Sequence, residues 1–139
     1  MVKYMLSAVV LLCLMGYISA GPIPKEFQEV AGDIRKVCIE ETGTTVDLIE
    51  RAGKGDFAED DNLKCYLKCL FAQFGLISKK GLNFEQLVKV APPDMKDMAK
   101  QLGVTCKDIK INADGDQCDL AYHMSKCFFN TFPDQYFIM

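Results

Sequence analysis

Two cysteines stand four residues apart in Cys65-Tyr66-Leu67-Lys68-Cys69, inside a run from Leu63 to Phe74 whose apolar residues recur at helical spacing. Leu63, Tyr66, Leu67, Leu70, Phe71 and Phe74 fall at i, i+3, i+4, i+7, i+8 and i+11, the stripe of one amphipathic helix. Cβ atoms at i and i+4 stack one turn apart and point the same way. That suits two bridges leaving side by side better than one bridge closing on itself. The helix is therefore expected to be stapled to other parts of the chain, and the fold has to bring further cysteines to it.

The chain has seven cysteines, and the first belongs to a different kind of segment. Met1 to Ala20 carries Lys3, an apolar run from Met5 to Ile18, and the small residues Ser19 and Ala20 ahead of Gly21-Pro22. This is the layout of a secretory signal peptide cut after Ala20. The run is short for a membrane anchor, and no later stretch approaches the roughly 18 apolar residues a spanning helix needs. Reading 1–20 as a leader and 21–139 as one domain removes Cys13 and leaves six cysteines for an oxidising compartment, where bridges supplement a modest core. It also removes Lys3, which makes the formal charge one unit more negative than the −3 of the whole chain. With that acidic balance and no basic block interleaved with aromatics, no nucleic-acid partner and no membrane insertion are expected.

The pattern past the leader is helical throughout. Lys25 to Glu41 places Phe27, Val30, Ala31, Ile34, Val37 and Cys38 on one face. Gly43-Thr44-Thr45 ends that helix and offers Thr45 as N-cap for a short one, Val46 to Ala52, stopped by Gly53 and Gly55. Asp60 or Asp61 caps the cysteine-bearing helix. After the break at Ser78-Lys79-Lys80-Gly81 a fourth helix, Phe84 to Val90, must stop at Pro92-Pro93, because proline cannot continue it. Pro93-Asp94 starts a fifth, with Met95, Met98, Ala99, Leu102 and Cys106 as its stripe. Asp116 caps the last, Gln117 to about Asn130, with Leu120, Ala121, Met124, Cys127 and Phe128 inward. No period-2 alternation competes, so the chain reads as all-α: a compact six-helix, disulfide-stapled domain.

Six cysteines permit fifteen pairings, and their positions alone do not choose among them. A zinc site built on the CxxxC pair is disfavoured, because secreted thiols oxidise and partner histidines are missing. The spacing itself, Cys38-x26-Cys65-x3-Cys69-x36-Cys106-x11-Cys118-x8-Cys127, resembles that of the insect odorant-binding proteins, the pheromone-binding proteins included. Their signature is six cysteines with three residues between the second and third and eight between the fifth and sixth. The resemblance implies the bridges Cys38–Cys69, Cys65–Cys118 and Cys106–Cys127, and an interior hollow enough to hold a ligand.

Phe84, Leu87, Ala91, Met95, Met98, Ala99, Leu102, Met124 and Phe128 are apolar residues turned inward and rich in methionine and phenylalanine. Methionine adapts to irregular shapes, and aromatic rings supply broad contact area. Taken alone such a set reads as ordinary core. The resemblance makes these positions the wall of an apolar ligand cavity.

Nothing in the chain looks catalytic. His123 is the only histidine, no G-x-S-x-G turn occurs, and no cysteine outside the six remains for a nucleophile. His123 lies about 100° round the last helix from Met124 and reads as a structural or surface residue. A secreted phospholipase would need a Gly-rich calcium loop that is missing. Asn112-Ala113-Asp114-Gly115-Asp116 mimics part of a calcium loop, but aligning Gly115 with the required glycine puts Lys110 at the first ligand position and Ala121 where a bidentate glutamate belongs. The segment reads as a solvated turn, so no enzyme, metal or cofactor is expected.

The chain ends Asp134-Gln135-Tyr136-Phe137-Ile138-Met139, four large apolar residues that are costly to leave in water. In members of the resembled family, such a tail folds over the pocket and its terminal carboxylate meets an arginine three residues before the first cysteine and a tyrosine directly after the second. Those positions are Arg35 and Tyr66. The resemblance thus implies Phe137 over the ligand and a Met139 latch to Arg35 and Tyr66 that acid would weaken. The function it implies is a secreted carrier of small hydrophobic odorants or pheromones through aqueous lymph to chemoreceptors. The associations it implies are contact with an olfactory receptor and a monomer or weak homodimer. The rivals are the same scaffold carrying lipophiles in non-olfactory secretions, and a secreted toxin or defence protein, which the acidic charge and the lack of a basic amphipathic face disfavour.

Overall fold

The computed structural model describes residues 25–109 and 116–139. The leader, the entry segment 21–24, the Phe27 side chain and the calcium-like stretch 110–115 lie outside the described residues. Among them are six α-helices: α1 (Lys25–Thr42), α2 (Val46–Gly53), α3 (Asp61–Gln73), α4 (Phe84–Val90), α5 (Lys96–Thr105) and α6 (Gln117–Thr131). A single 3-10 turn, Pro93–Met95, leads into α5. The break between α3 and α4 closes as a minimal antiparallel ladder of β1 (Ile77–Ser78) and β2 (Gly81–Leu82), with Ile77 opposite Leu82. Alternation cannot announce strands of two residues, so the sequence shows only the turn. Gly81 takes φ 107° there, a backbone state that other residues rarely adopt.

Local chemistry sets the helix starts. The side chains of Thr45, Asp60, Asn83 and Asp116 accept hydrogen bonds from the backbone N–H of Leu48, Leu63, Gln86 and Asp119 respectively. Each satisfies one of the donors that a helix N-terminus leaves unpaired, typically about 1 kcal/mol of stability. Proline ends α4 without ambiguity: Ala91, before Pro92, is already extended at φ −63°, ψ 139°.

α3 is the hub. It packs most extensively on α6, then on α1, while α4 and α5 form a separate pair. The larger core joins Cys38, Ile49, Leu63, Tyr66, Leu67, Leu70, Ala121 and Tyr122, drawn from α1, α2, α3 and α6. A second cluster gathers Leu102, Cys106 and Met124 with Phe84, Leu87 and Met98 around them. Two cores facing each other across α3 and α6 leave a space between them.

Three bridges fix this frame: Cys38–Cys69, Cys65–Cys118 and Cys106–Cys127. They tie α3 to α1 and to α6, and the end of α5 to α6, each closing a loop for which chain entropy gives about 3 to 4 kcal/mol. Beside the second bridge, Lys64 on α3 reaches Asp119 on α6 at 3.3 Å and Glu59 at 3.0 Å. The hydrogen bond that Lys64 donates to Glu59 is the main reason that its ammonium titrates above its ordinary value. His123 stands half-exposed, 3.7 Å from Asp119 and edge-on to Tyr122, on the outer side of this tie.

The first helix corrects one expectation. Val30 and Val37, read from the sequence as inward, are 53% and 51% exposed, and among the described side chains of that face Ala31, Ile34 and Cys38 turn to the core. Among the described elements α1 packs chiefly on α3, so a narrow strip suffices and the flanks of its broad apolar stripe stay in water.

Candidate functional site

Between the two cores lies a cavity of about 150 Å³ whose lining is almost wholly apolar. α4, the 3-10 turn and α5 supply one wall. Phe84, Leu87, Ala91, Met95, Met98, Ala99 and Leu102 all stand on it. α6 supplies Met124 and Phe128, and the chain after α6 supplies Phe137. The ten residues expected at a pocket are thus brought together around one space. Ala99, Leu102 and Met124 are buried, and the others are half-buried because one side of each faces the hollow rather than another side chain. An apolar cavity of about this size stays dry and admits an aromatic ring or a comparable hydrocarbon body.

The wall also contains residues that pattern reading assigned to the helix core: Leu67, Leu70, Phe71 and Phe74 of α3, with Leu76 and Leu82 from the β turn. A helical stripe signals only that a face is covered. It does not say whether side chains or empty space cover it, so no signal in α3 alone separates wall from core. Tyr136, Ile138 and Met139 join the lining from the tail.

The tail is docked by three kinds of contact. Its backbone turns at once, with the Gln135 and Tyr136 N–H groups both donating to the Phe132 carbonyl, at 3.1 and 2.9 Å. Tyr136 then sits among Phe57, Phe128 and Phe129, with ring centroids 6.0, 5.1 and 5.6 Å away, and Phe137 meets Phe128 edge-on at 6.1 Å. The close fit is possible because α2 ends in glycine. A Cβ on Gly53 would stand 3.0 Å from Ile138, and one on Gly55, at φ 89°, would run into the Phe129 ring. At the far end the Tyr66 hydroxyl donates to the main-chain oxygen of Met139. Tyr66 is fully buried, and burial pushes its phenol up to about 12, with the nearby Arg35 charge pulling the other way.

Arg35 itself does not complete the expected latch. Among the described residues no ion pair joins it to Met139. Its side chain borders a shallow open depression on α1 with Lys36 and Glu40. The structure therefore brings Tyr66 and Met139 together and leaves Arg35 acting on Tyr66 only through its field.

This stapled six-helix arrangement around an apolar hollow has counterparts. The PBP/GOBP family model matches residues 21–131. The chain belongs to that family. General odorant-binding protein 69a of Drosophila melanogaster is 33% identical over 97 residues, which cover 68% of this chain and 64% of the relative. Among solved structures, Apis mellifera odorant binding protein 5 superposes with a TM-score of 0.74 at 23% identity, over 82% of this chain and 95% of its own, a likeness of fold. Odorant binding protein 7 from Anopheles gambiae, solved with four disulfide bridges and in complex with an azo compound, gives 0.70 at 26% identity over 78% and 88%. The relatives in this family are binding proteins rather than enzymes. Among the described residues no helix is long and apolar enough to cross a membrane, and no three His, Cys, Asp or Glu side chains gather as a metal site.

Proposed function

We propose that the protein is a secreted carrier that takes up a small hydrophobic odorant or pheromone, holds it between α3, α4, α5 and α6, and delivers it through sensillar lymph to chemoreceptors. The observation that carries this reading is a cavity lined almost wholly by apolar side chains inside a frame fixed by three disulfides. An ordinary domain of this size fills such a space, since voids forfeit dispersion contacts on every side. Here the bridges supply stability that a filled core would otherwise supply. Secretion follows from the leader read in Met1 to Ala20, and the oxidising compartment it leads to is the one in which such bridges persist.

In the same reading the tail is the lid. Phe137 covers the ligand, and the Tyr66–Met139 hydrogen bond holds the tail shut. Opening exchanges that bond and the aromatic contacts of Tyr136 for water, a modest barrier suited to reversible loading. Removal of residues 136–139 tests this. The oxidised full chain and the version ending at Gln135 are compared for affinity toward a hydrophobic fluorophore, and for the rate at which a competing ligand leaves. The lid reading expects weaker binding and faster release after truncation; equal affinities and equal rates would contradict it and leave the carrier reading standing.

A further inference from the structure

The cavity wall contains one feature that an all-apolar ligand does not explain. The hydroxyl of Tyr136 is buried and no group of the protein meets it at full hydrogen-bond geometry, although its ring is held on three sides by Phe57, Phe128 and Phe129. A phenylalanine would fill the same space without stranding a donor. Buried polar groups are almost always paired, because an unpaired one has lost its water and gained nothing.

The nearest polar neighbour does not resolve this. Ser125 on α6 offers the phenol a weak hydrogen-bonding interaction that favours its phenolate slightly, against the dominant effect of burial. Its own hydroxyl proton is already committed, donating to the Ala121 carbonyl at 3.0 Å. Both residues line the cavity, and the remaining polar lining residue, Asn83, is exposed and spends its side-chain oxygen capping α4. A trapped water needs two to four polar partners, and this end of the cavity offers Tyr136 and the lone pairs of Ser125. A second stranded hydroxyl among the described residues, on Thr44, is not among the lining residues.

Resting on the carrier reading, we infer that Tyr136 and Ser125 form an oxygen-recognition point, so that the protein selects an apolar molecule carrying a hydrogen-bond acceptor oxygen over the hydrocarbon of the same shape. The ring contacts fix where the phenol points, so little freedom is lost when it donates, and a small side-chain adjustment of the kind common on binding exposes it to the ligand. Because Tyr136 begins the tail, the same contact also fastens the tail over an oxygenated ligand and leaves it looser over a hydrocarbon.

The test uses the oxidised full chain and Tyr136→Phe, with N-phenyl-naphthylamine as displaceable fluorophore. The competitors are a medium-chain methyl ketone and the alkene in which =CH2 replaces the carbonyl =O. The variant is expected to lose roughly three- to tenfold in ketone affinity, the worth of one neutral hydrogen bond, while alkene affinity stays unchanged. Loss of both by the same factor would reduce Tyr136 to packing and overturn the inference, as would no loss of either. A measurement on the unaltered protein does not depend on how the variant folds: the carbonyl stretch of bound ketone should move to lower frequency than in hexane, and an unmoved stretch overturns the assignment. If the unaltered protein takes up no fluorophore, the carrier reading itself fails, a result distinct from binding without discrimination.

Discussion

Tyr66 shows how one side chain can serve two parts of the fold. Its ring belongs to the buried core beneath α3, and its hydroxyl emerges at the end of the tail to hold Met139. The same burial that fixes the ring keeps the phenol neutral, with its pKa raised from about 10 when unfolded to about 12. An acid whose folded pKa is raised contributes stability that is fully present below the unfolded value and is lost as pH rises through the folded one. The stability of the oxidised protein should therefore fall as pH climbs from about 10 to about 12. Denaturant midpoints measured across that range should fall less steeply in Tyr66→Phe, which has no phenol to ionise. Parallel slopes in the two proteins would show that Tyr66 is not sealed as described. Tyr122 and Tyr136, also pushed up by burial, account for slope that remains in the variant.

At the scale of elements, α3 does what two cysteines one turn apart imply. Cys65 and Cys69 leave it toward α6 and α1, and the three helices become one body. Replacing both Cys65 and Cys118 with alanine should cost about 2 to 5 kcal/mol in chemical denaturation, because the bridge closes a loop 53 residues long in sequence and no longer constrains the unfolded chain. A loss below about 0.5 kcal/mol, typical of a surface substitution, would mean that the Lys64–Asp119 tie and the packing of α3 on α6 hold these elements without it. Helix limits were legible in the sequence because caps and prolines are local signals: Thr45, Asp116 and Pro92 act on their own neighbours. What was not legible depends on partners that pattern does not reveal. Val30 and Val37 are exposed because α1 packs chiefly on α3, and Phe71 and Phe74 face a hollow because α4 and α5 stand off from α3. Spacing from a cysteine brings the Arg35 charge near Tyr66 but does not by itself express whether it pairs with Met139.

At the scale of the whole molecule, the domain holds two cores around a space that it keeps open. The methionines and phenylalanines on that space are adaptable and broad in contact, which suits molecules of varied outline more than a single fitted substrate. Met124 is the residue on which this account is most exposed to test, since it is buried, lines the cavity and belongs to the second core at once. An unpaired carboxylate placed there costs several kcal/mol to desolvate, more than a single good ligand contact supplies. The decisive measurement is displacement of N-phenyl-naphthylamine from the oxidised protein and from Met124→Asp by medium-chain alcohols, esters and aldehydes. The account predicts micromolar uptake of the fluorophore by the unaltered protein, its displacement by these compounds, and loss of both in the variant; no uptake by the unaltered protein, or equal uptake by the two, would contradict it.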